Sequence, residues 1–200
     1  MLGLPKSTEI KKQLPKKAVY QKFAMDAPAR ARFDTDISRL DIVNEVSATN
    51  TTFAAGDTVK SFYVLLVTLK KAKIDEKNII LLSRLIEQNM LFILAFDGKA
   101  KLAVYHSRLI LGEMKPIDEL TVKLTGLEMD ALWENMIVQI GDITIEAGNT
   151  LDEQIQIDEK RRKLQKQIDT LEKQVWKEKQ PKKKFEICQQ VKKLKGKLET

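Results

Sequence analysis

Apolar residues recur along this chain with several different periods, and each change of period marks an element. Residues 61–69, Ser-Phe-Tyr-Val-Leu-Leu-Val-Thr-Leu, are apolar on both alternating faces, the pattern of a central strand covered on two sides. Before it, Leu40, Ile42, Val43 and Val46 predict a strand, and the polar stretch 47–52 predicts a loop. After it, Ile79, Leu82, Leu85, Ile86 and Met90 recur at helical spacing behind Asp75, an N-cap residue type, which predicts a helix over 76–89. The apolar runs 91–96 and 101–105 flank Asp97-Gly98, a two-residue hairpin signal because both turn positions need positive φ. Leu120, Val122 and Leu124 alternate with Glu119, Thr121 and Lys123, as in a strand with one wet face. Leu127, Ala131, Leu132, Trp133, Met136 and Ile137 return to helical period over 127–139, and Ile143 and Ile145 alternate once more.

At the amino end, Ser7 can cap a short helix over 8–13, which Pro15 breaks. Ile10, Leu14, Val19, Tyr20 and Phe23 offer anchors to the body, and Pro28 at the head of 29–33 predicts a helical turn. Strands that follow one another without helices predict an α+β body, residues 1–148, with a mixed or antiparallel sheet and helices packed on one face. Residues 1–25 form its basic N-terminal arm.

Gly148-Asn149 marks a boundary, and Thr150-Leu-Asp-Glu153 is a capping-box pattern that opens a long helix. Ile157, Leu164, Ile168, Leu171 and Val175 keep 7-4-3-4 spacing, with Arg161 at the vacant seam position. Gln180-Pro181-Lys182 breaks the helix, and Ile187, Val191, Leu194 and Leu198 follow at 4-3-4 spacing. Two seam-bearing helices joined by a proline turn predict an antiparallel, coiled-coil-like hairpin over 150–200 with its turn near 180–182. The seams can bury each other or accept a third helix from another chain. Those nine seam residues are the candidate partner-docking residues.

Composition changes this picture mainly by exclusion. A hydrophobic fraction of 43% sustains a core, so wholesale disorder is excluded. One cysteine, Cys188, placed in the seam region, excludes an intramolecular disulfide and fits a reducing, cytoplasmic setting. One histidine, His106, excludes His-pair metal centres and reads as a core or edge residue. The glycines never fall as GxGxxG, GxxxxGK[ST] or GxSxG. No catalytic residue, metal site or cofactor is assigned. The amino terminus lacks a signal-peptide pattern, and the longest apolar stretches, 62–67 and 90–96, are strand-sized, so no membrane association is expected.

Paired carboxylates are the remaining route to chemistry. Asp97-Gly98-Lys99 matches the acid-x-Lys half of a metal-dependent nuclease in letters, with Asp75 as a conceivable first half. Hairpin and cap roles account for both. Turn and cap roles likewise account for Asp34-Thr35-Asp36, which shares only its spelling with a sugar-nucleotide metal motif.

The net charge of +7 is uneven: residues 1–25 carry +5, residues 26–150 carry −4 and residues 151–200 carry +6. Lys160, Arg161, Arg162 and Lys163, with Lys182, Lys183 and Lys184, are the candidate nucleic-acid-binding residues, because clustered lysines neutralise phosphates without reading sequence. The pairs Glu159–Lys163, Asp169–Lys173 and Glu178–Lys182, spaced i,i+4, offset part of that charge. Trp176 and Phe185 flank the turn, where an apolar clasp or a partner contact is expected rather than base stacking.

Segments along the whole chain carry a resemblance. They include Leu2-Gly-Leu-Pro-Lys-Ser-Thr-Glu9, Gln13-Leu-Pro-Lys-Lys17, Lys60-Ser-Phe-Tyr-Val-Leu-Leu-Val67 and Lys99-Ala-Lys-Leu-Ala-Val-Tyr-His106. Trp133-Glu-Asn-Met-Ile-Val-Gln-Ile140, Asn149-Thr-Leu-Asp-Glu-Gln154 and Lys179-Gln-Pro-Lys-Lys-Lys184 complete it. The chain resembles an uncharacterised bacterial domain-of-unknown-function family, often encoded beside helicase and DNA-methyltransferase genes in restriction-type defence loci. The resemblance implies a role around DNA by association and carries over no catalytic residue. The expectation is a non-catalytic accessory protein whose hairpin docks a protein: a second copy, a helicase or a methyltransferase. Nonspecific nucleic-acid binding through the basic ends is the alternative, and a divergent nuclease the lesser one.

Overall fold

The computed structural model describes residues 2–198 and divides into two compact units, one ending at Ile143 and the other starting at Thr144. The first unit is built on a seven-stranded mixed sheet. Its strands are β1 (Glu9–Gln13), β2 (Ile37–Ser47), β3 (Ser61–Leu69), β4 (Asn89–Phe96), β5 (Lys99–Tyr105), β6 (Leu109–Leu111) and β7 (Lys115–Pro116). They lie in the order β1-β2-β3-β4-β5-β6, with β7 also pairing with β5. Only β3 and β4 run parallel, joined through α3 (Glu76–Ser83); the other pairs are antiparallel.

The two-sided apolar run of β3 explains its central place. Leu65, Val67 and Leu69, with Met90, Phe92 and Leu94 of β4, share a core with Val19, Phe33, Ile79 and Leu82. Those last four come from α1 (Lys16–Lys22), α2 (Ala27–Asp36) and α3. Phe62, Val64, Leu91 and Ile93 alternate onto the opposite face and are equally buried. There the Phe62 ring lies 5.2 Å from Trp133 of α4 (Met129–Gly141). The expected α+β class and mixed sheet are present. The one-face packing describes α1–α3, while α4 covers the other face that β3 requires.

Several local expectations shift. Residues 9–13 form a strand rather than a helix, because β2 would otherwise present an unpaired outer edge; Glu9 pairs with Asn44 and Gln13 with Asp41. Residues 6–8 form a single 3-10 turn, and Pro15 starts α1 rather than ending a helix. The helix behind Asp75 ends at Ser83, since β4 must begin at Asn89 to meet Phe62. Residues 120–124 keep their alternation, with Leu120 and Val122 buried, but form no ladder; Thr121 makes one bridge to Leu2. Leu127 lies outside α4 and is 90% exposed. Ile143 and Ile145 lie outside any strand. The Asp97-Gly98 hairpin is present, with φ of 48° and 72°. One link ties α4 to the loop before β3. The Asp130 carboxylate accepts from the Thr58 hydroxyl and from the N–H groups of Val59 and Asp57, each at 2.6 Å. Those donors, the Thr58 hydroxyl foremost, hold its carboxyl down to about 2.

Candidate functional site

The second unit holds α5 (Leu151–Lys177) and α6 (Pro181–Leu198), which pack against each other as a hairpin. Thr150 opens α5 with the expected capping box: its hydroxyl accepts from Glu153 N–H at 3.3 Å, and Glu153 Oε2 accepts from Thr150 N–H at 2.8 Å. Satisfying two orphan donors in this way stabilises the helix start by about 1 kcal/mol. The Glu153 carboxyl is held low by the Thr150 N–H and hydroxyl. Gln154 is buried; its Oε1 accepts from Glu146 N–H and Asn149 Nδ2, and its Nε2 donates to Asp158. Arg161, at the vacant seam position, turns outward and donates to Glu146 at 2.8 Å.

The two seams face each other incompletely. Ile168 is the one buried residue among the nine, while Ile157, Leu164, Leu171, Val175, Ile187, Val191, Leu194 and Leu198 are half-buried. No residue of α6 is fully buried. Leu171 and Leu194 open onto a notch of 440 Å³ also lined by Lys166, Gln167 and Thr170. Lys195 bridges to Glu172 across the helices at 2.8 Å, and that hydrogen bond raises the Lys195 ammonium above its usual range. At the turn, no apolar clasp forms: Trp176 is 87% and Phe185 64% exposed. Pro181 starts α6, so the chain reverses within three residues and the two rings are left outside the packed seam. Cys188, expected in the seam region, is exposed too.

The basic candidates fall into two separate groups. Lys160, Arg161, Arg162 and Lys163 are exposed on α5, and Lys182, Lys183 and Lys184 are exposed in the first turn of α6. Roughly 20 Å of helix separates Lys163 from the end of α5, so the groups do not form one patch. Arg161 is committed to Glu146 and Lys163 to Glu159. Of the other i,i+4 pairs, Asp169 instead accepts from Gln165, and Glu178 from the Gln180 N–H.

In the first unit, Asp75 caps α3, accepting from Lys77 N–H at 3.0 Å, and Asp97 sits in its hairpin turn. Among the described residues no group of three or more His, Cys, Asp or Glu side chains could hold a metal ion. His106 follows β5 and is half-buried, and its backbone N–H donates to Arg108. Asp34 and Asp36 lie in the last turns of α2 rather than in a loop turn or at a cap, and each holds another segment. Asp34 accepts from Lys16 and from the Tyr20 hydroxyl. Burial and the Asp34 bond push the Tyr20 hydroxyl up to about 12. Asp36 is 3% exposed and takes Lys71 at 2.6 Å, Asp75 N–H at 2.8 Å and Asn78 Nδ2 at 3.0 Å. Burial would raise its carboxyl, but those donors together hold it below the usual carboxylate range. The sequence hint was the lysine-rich run Lys70-Lys71-Ala72-Lys73 directly after a strand, which the body's net negative charge concealed.

Among the described residues no helix is long and apolar enough to cross a membrane. No curated protein and no solved structure matches the chain. The match that exists is to a family description, Domain of unknown function (DUF4391), over residues 2–198, and the chain belongs to that family.

Proposed function

We propose that this chain is a non-catalytic accessory protein whose C-terminal hairpin docks a protein partner. The observation that supports this reading is the unfinished hairpin: after α5 and α6 have packed, eight of nine seam residues stay half-buried, and Trp176 and Phe185 stand exposed beside the turn. Exposed aromatic side chains next to a partly covered apolar stripe are the anchor chemistry of protein interfaces. The resemblance to a family often encoded beside helicase and DNA-methyltransferase genes in restriction-type defence loci suggests a DNA-processing complex in a bacterial cytoplasm as the setting. Partners of that kind include a helicase, a methyltransferase or a second copy of the chain.

Light scattering over a range of concentrations tests the self-docking form. A mass above the 22.9 kDa of one chain, lowered by Trp176→Ser with Phe185→Ser, supports it; a constant single-chain mass removes the second copy as partner.

The second reading is nonspecific nucleic-acid binding. It rests on Lys182, Lys183 and Lys184, which are exposed in consecutive positions and make no ion pair among the described residues. Binding of this kind weakens as salt rises, and replacing the three lysines reduces the slope by up to about 3. No retention of single or double strands at low salt counts against it.

A further inference from the structure

We propose a second binding site, in the body rather than the hairpin: the cleft between the end of α2 and the start of α3 binds a phosphate group. The cleft measures 820 Å³, within the size range of small-ligand sites, about 300–1,000 Å³. It opens at the carboxyl end of β3, the strand that leads into α3 and on to the parallel strand β4. In open sheets with parallel strands, ligands collect in the crevice outside the carboxyl ends.

The cations that line the cleft come from three segments: Arg32 from α2, Lys71 and Lys73 from the β3–α3 connection, and Lys77 from the first turn of α3. Three carboxylates share the lining, and one of them is already paired with a cation. Asp36 is held by Lys71, the Asp75 N–H and Asn78, and Asp75 accepts from the Lys77 N–H. Arg32, Lys73 and Lys77 are exposed and make no ion pair among the described residues, and they outnumber the two lining carboxylates without a cation partner, Asp75 and Glu76.

The frame is fixed before any ligand arrives. The buried Asp36 carboxylate ties the last turn of α2 to the first residues of α3, which sets the backbone spacing of Arg32 against Lys73 and Lys77 and leaves only their side chains to be ordered on binding. Cations converging from separate segments suit the several oxygens of a phosphate, each able to take its own charge-assisted hydrogen bond. Ile74 and Ile80 add an apolar wall that suits the organic part of a phosphorylated ligand. A free nucleotide and the backbone of a nucleic-acid strand both present this chemistry.

Equilibrium binding of the full chain to pyrophosphate, to ATP and to a short labelled single strand tests the site and separates the two sources. The decisive variant is Lys73→Glu with Lys77→Glu, both exposed positions. Lys73→Arg with Lys77→Arg checks that charge is what matters, and replacement of Lys182, Lys183 and Lys184 by Glu isolates any hairpin contribution. The expected result is saturable binding in at least one arm, about tenfold or more weaker in the Glu pair and retained in the Arg pair and the hairpin variant. Binding of pyrophosphate and ATP assigns the phosphate to a free nucleotide; binding of the strand alone assigns it to a nucleic-acid backbone. No binding in any arm, or binding that survives the Glu pair and is lost with the hairpin lysines, overturns the proposal. The hairpin's docking role does not depend on either outcome.

Discussion

Removing the Asp36 carboxylate should cost this protein about 3 kcal/mol. Its side chain is 5% exposed and takes three donors: Lys71 at 2.6 Å, Asp75 N–H at 2.8 Å and Asn78 Nδ2 at 3.0 Å. In Asp36→Ala the Lys71 side chain, already 50% exposed, swings into water, so its share of the loss is below about 1 kcal/mol. The Asp75 N–H and the Asn78 amide lose a charged acceptor, and each such bond is worth about 1.5 kcal/mol. For a chain of this size, about 3 kcal/mol lowers Tm by roughly 6–12 °C. Asp36→Asn keeps one acceptor oxygen and should lose about half as much. Because the folded carboxyl titrates below its unfolded value, the stabilisation is complete above the ordinary carboxylate range and is lost as pH falls through the folded value. Urea unfolding followed by tryptophan fluorescence measures it in the right unit, since Trp133 is 3% exposed in the body and Trp176 is 87% exposed. An Asp36→Ala variant within about 0.5 kcal/mol of wild type at neutral pH would refute the reasoning. So would a gap that stays constant into acid.

Two other perturbations probe the packing of α4. Asp130→Asn should lower the thermal midpoint at neutral pH by removing the charge that gathers the N–H groups of residues 57–59; the difference should shrink in an acid series below the ordinary carboxylate range and be lost as pH falls through about 2. Gly126→Ala should cost about 2–4 kcal/mol by urea unfolding, because φ there is +144° and the added Cβ would lie 2.8 Å from the Leu132 nitrogen.

The elements legible in the sequence are those whose local chemistry and tertiary role agree. The β3 run, the Asp97-Gly98 turn, the Thr150–Glu153 capping box and the Pro181 break each appear where their residue types place them. The elements that differ are those that a distant partner decides. The polar residues 9–13 become a strand only because β2 offers them an open edge, and nothing local records that edge. The apolar stripe beyond Ser83 continues in sequence, yet Leu85 fills the core and Met90 belongs to β4. At the candidate sites the same division holds. Heptad spacing identified the nine seam residues but not how little of each stays covered, which depends on the geometry of two helices meeting without a third. The cleft by α3 was hidden for another reason: Asp36 is thirty-nine residues from Asp75, and its burial follows from the way α2 and α3 meet at the end of β3.

Capture of partners by the tagged full chain from its native host, compared between wild type and Trp176→Ser with Phe185→Ser, tests the docking role most directly. Both rings are exposed, so the variant should keep the stability of the wild type to within about 0.5 kcal/mol. The account predicts a defined partner held by the wild type and lost or sharply reduced in the variant; recovery of the same proteins in equal amounts by both would contradict it.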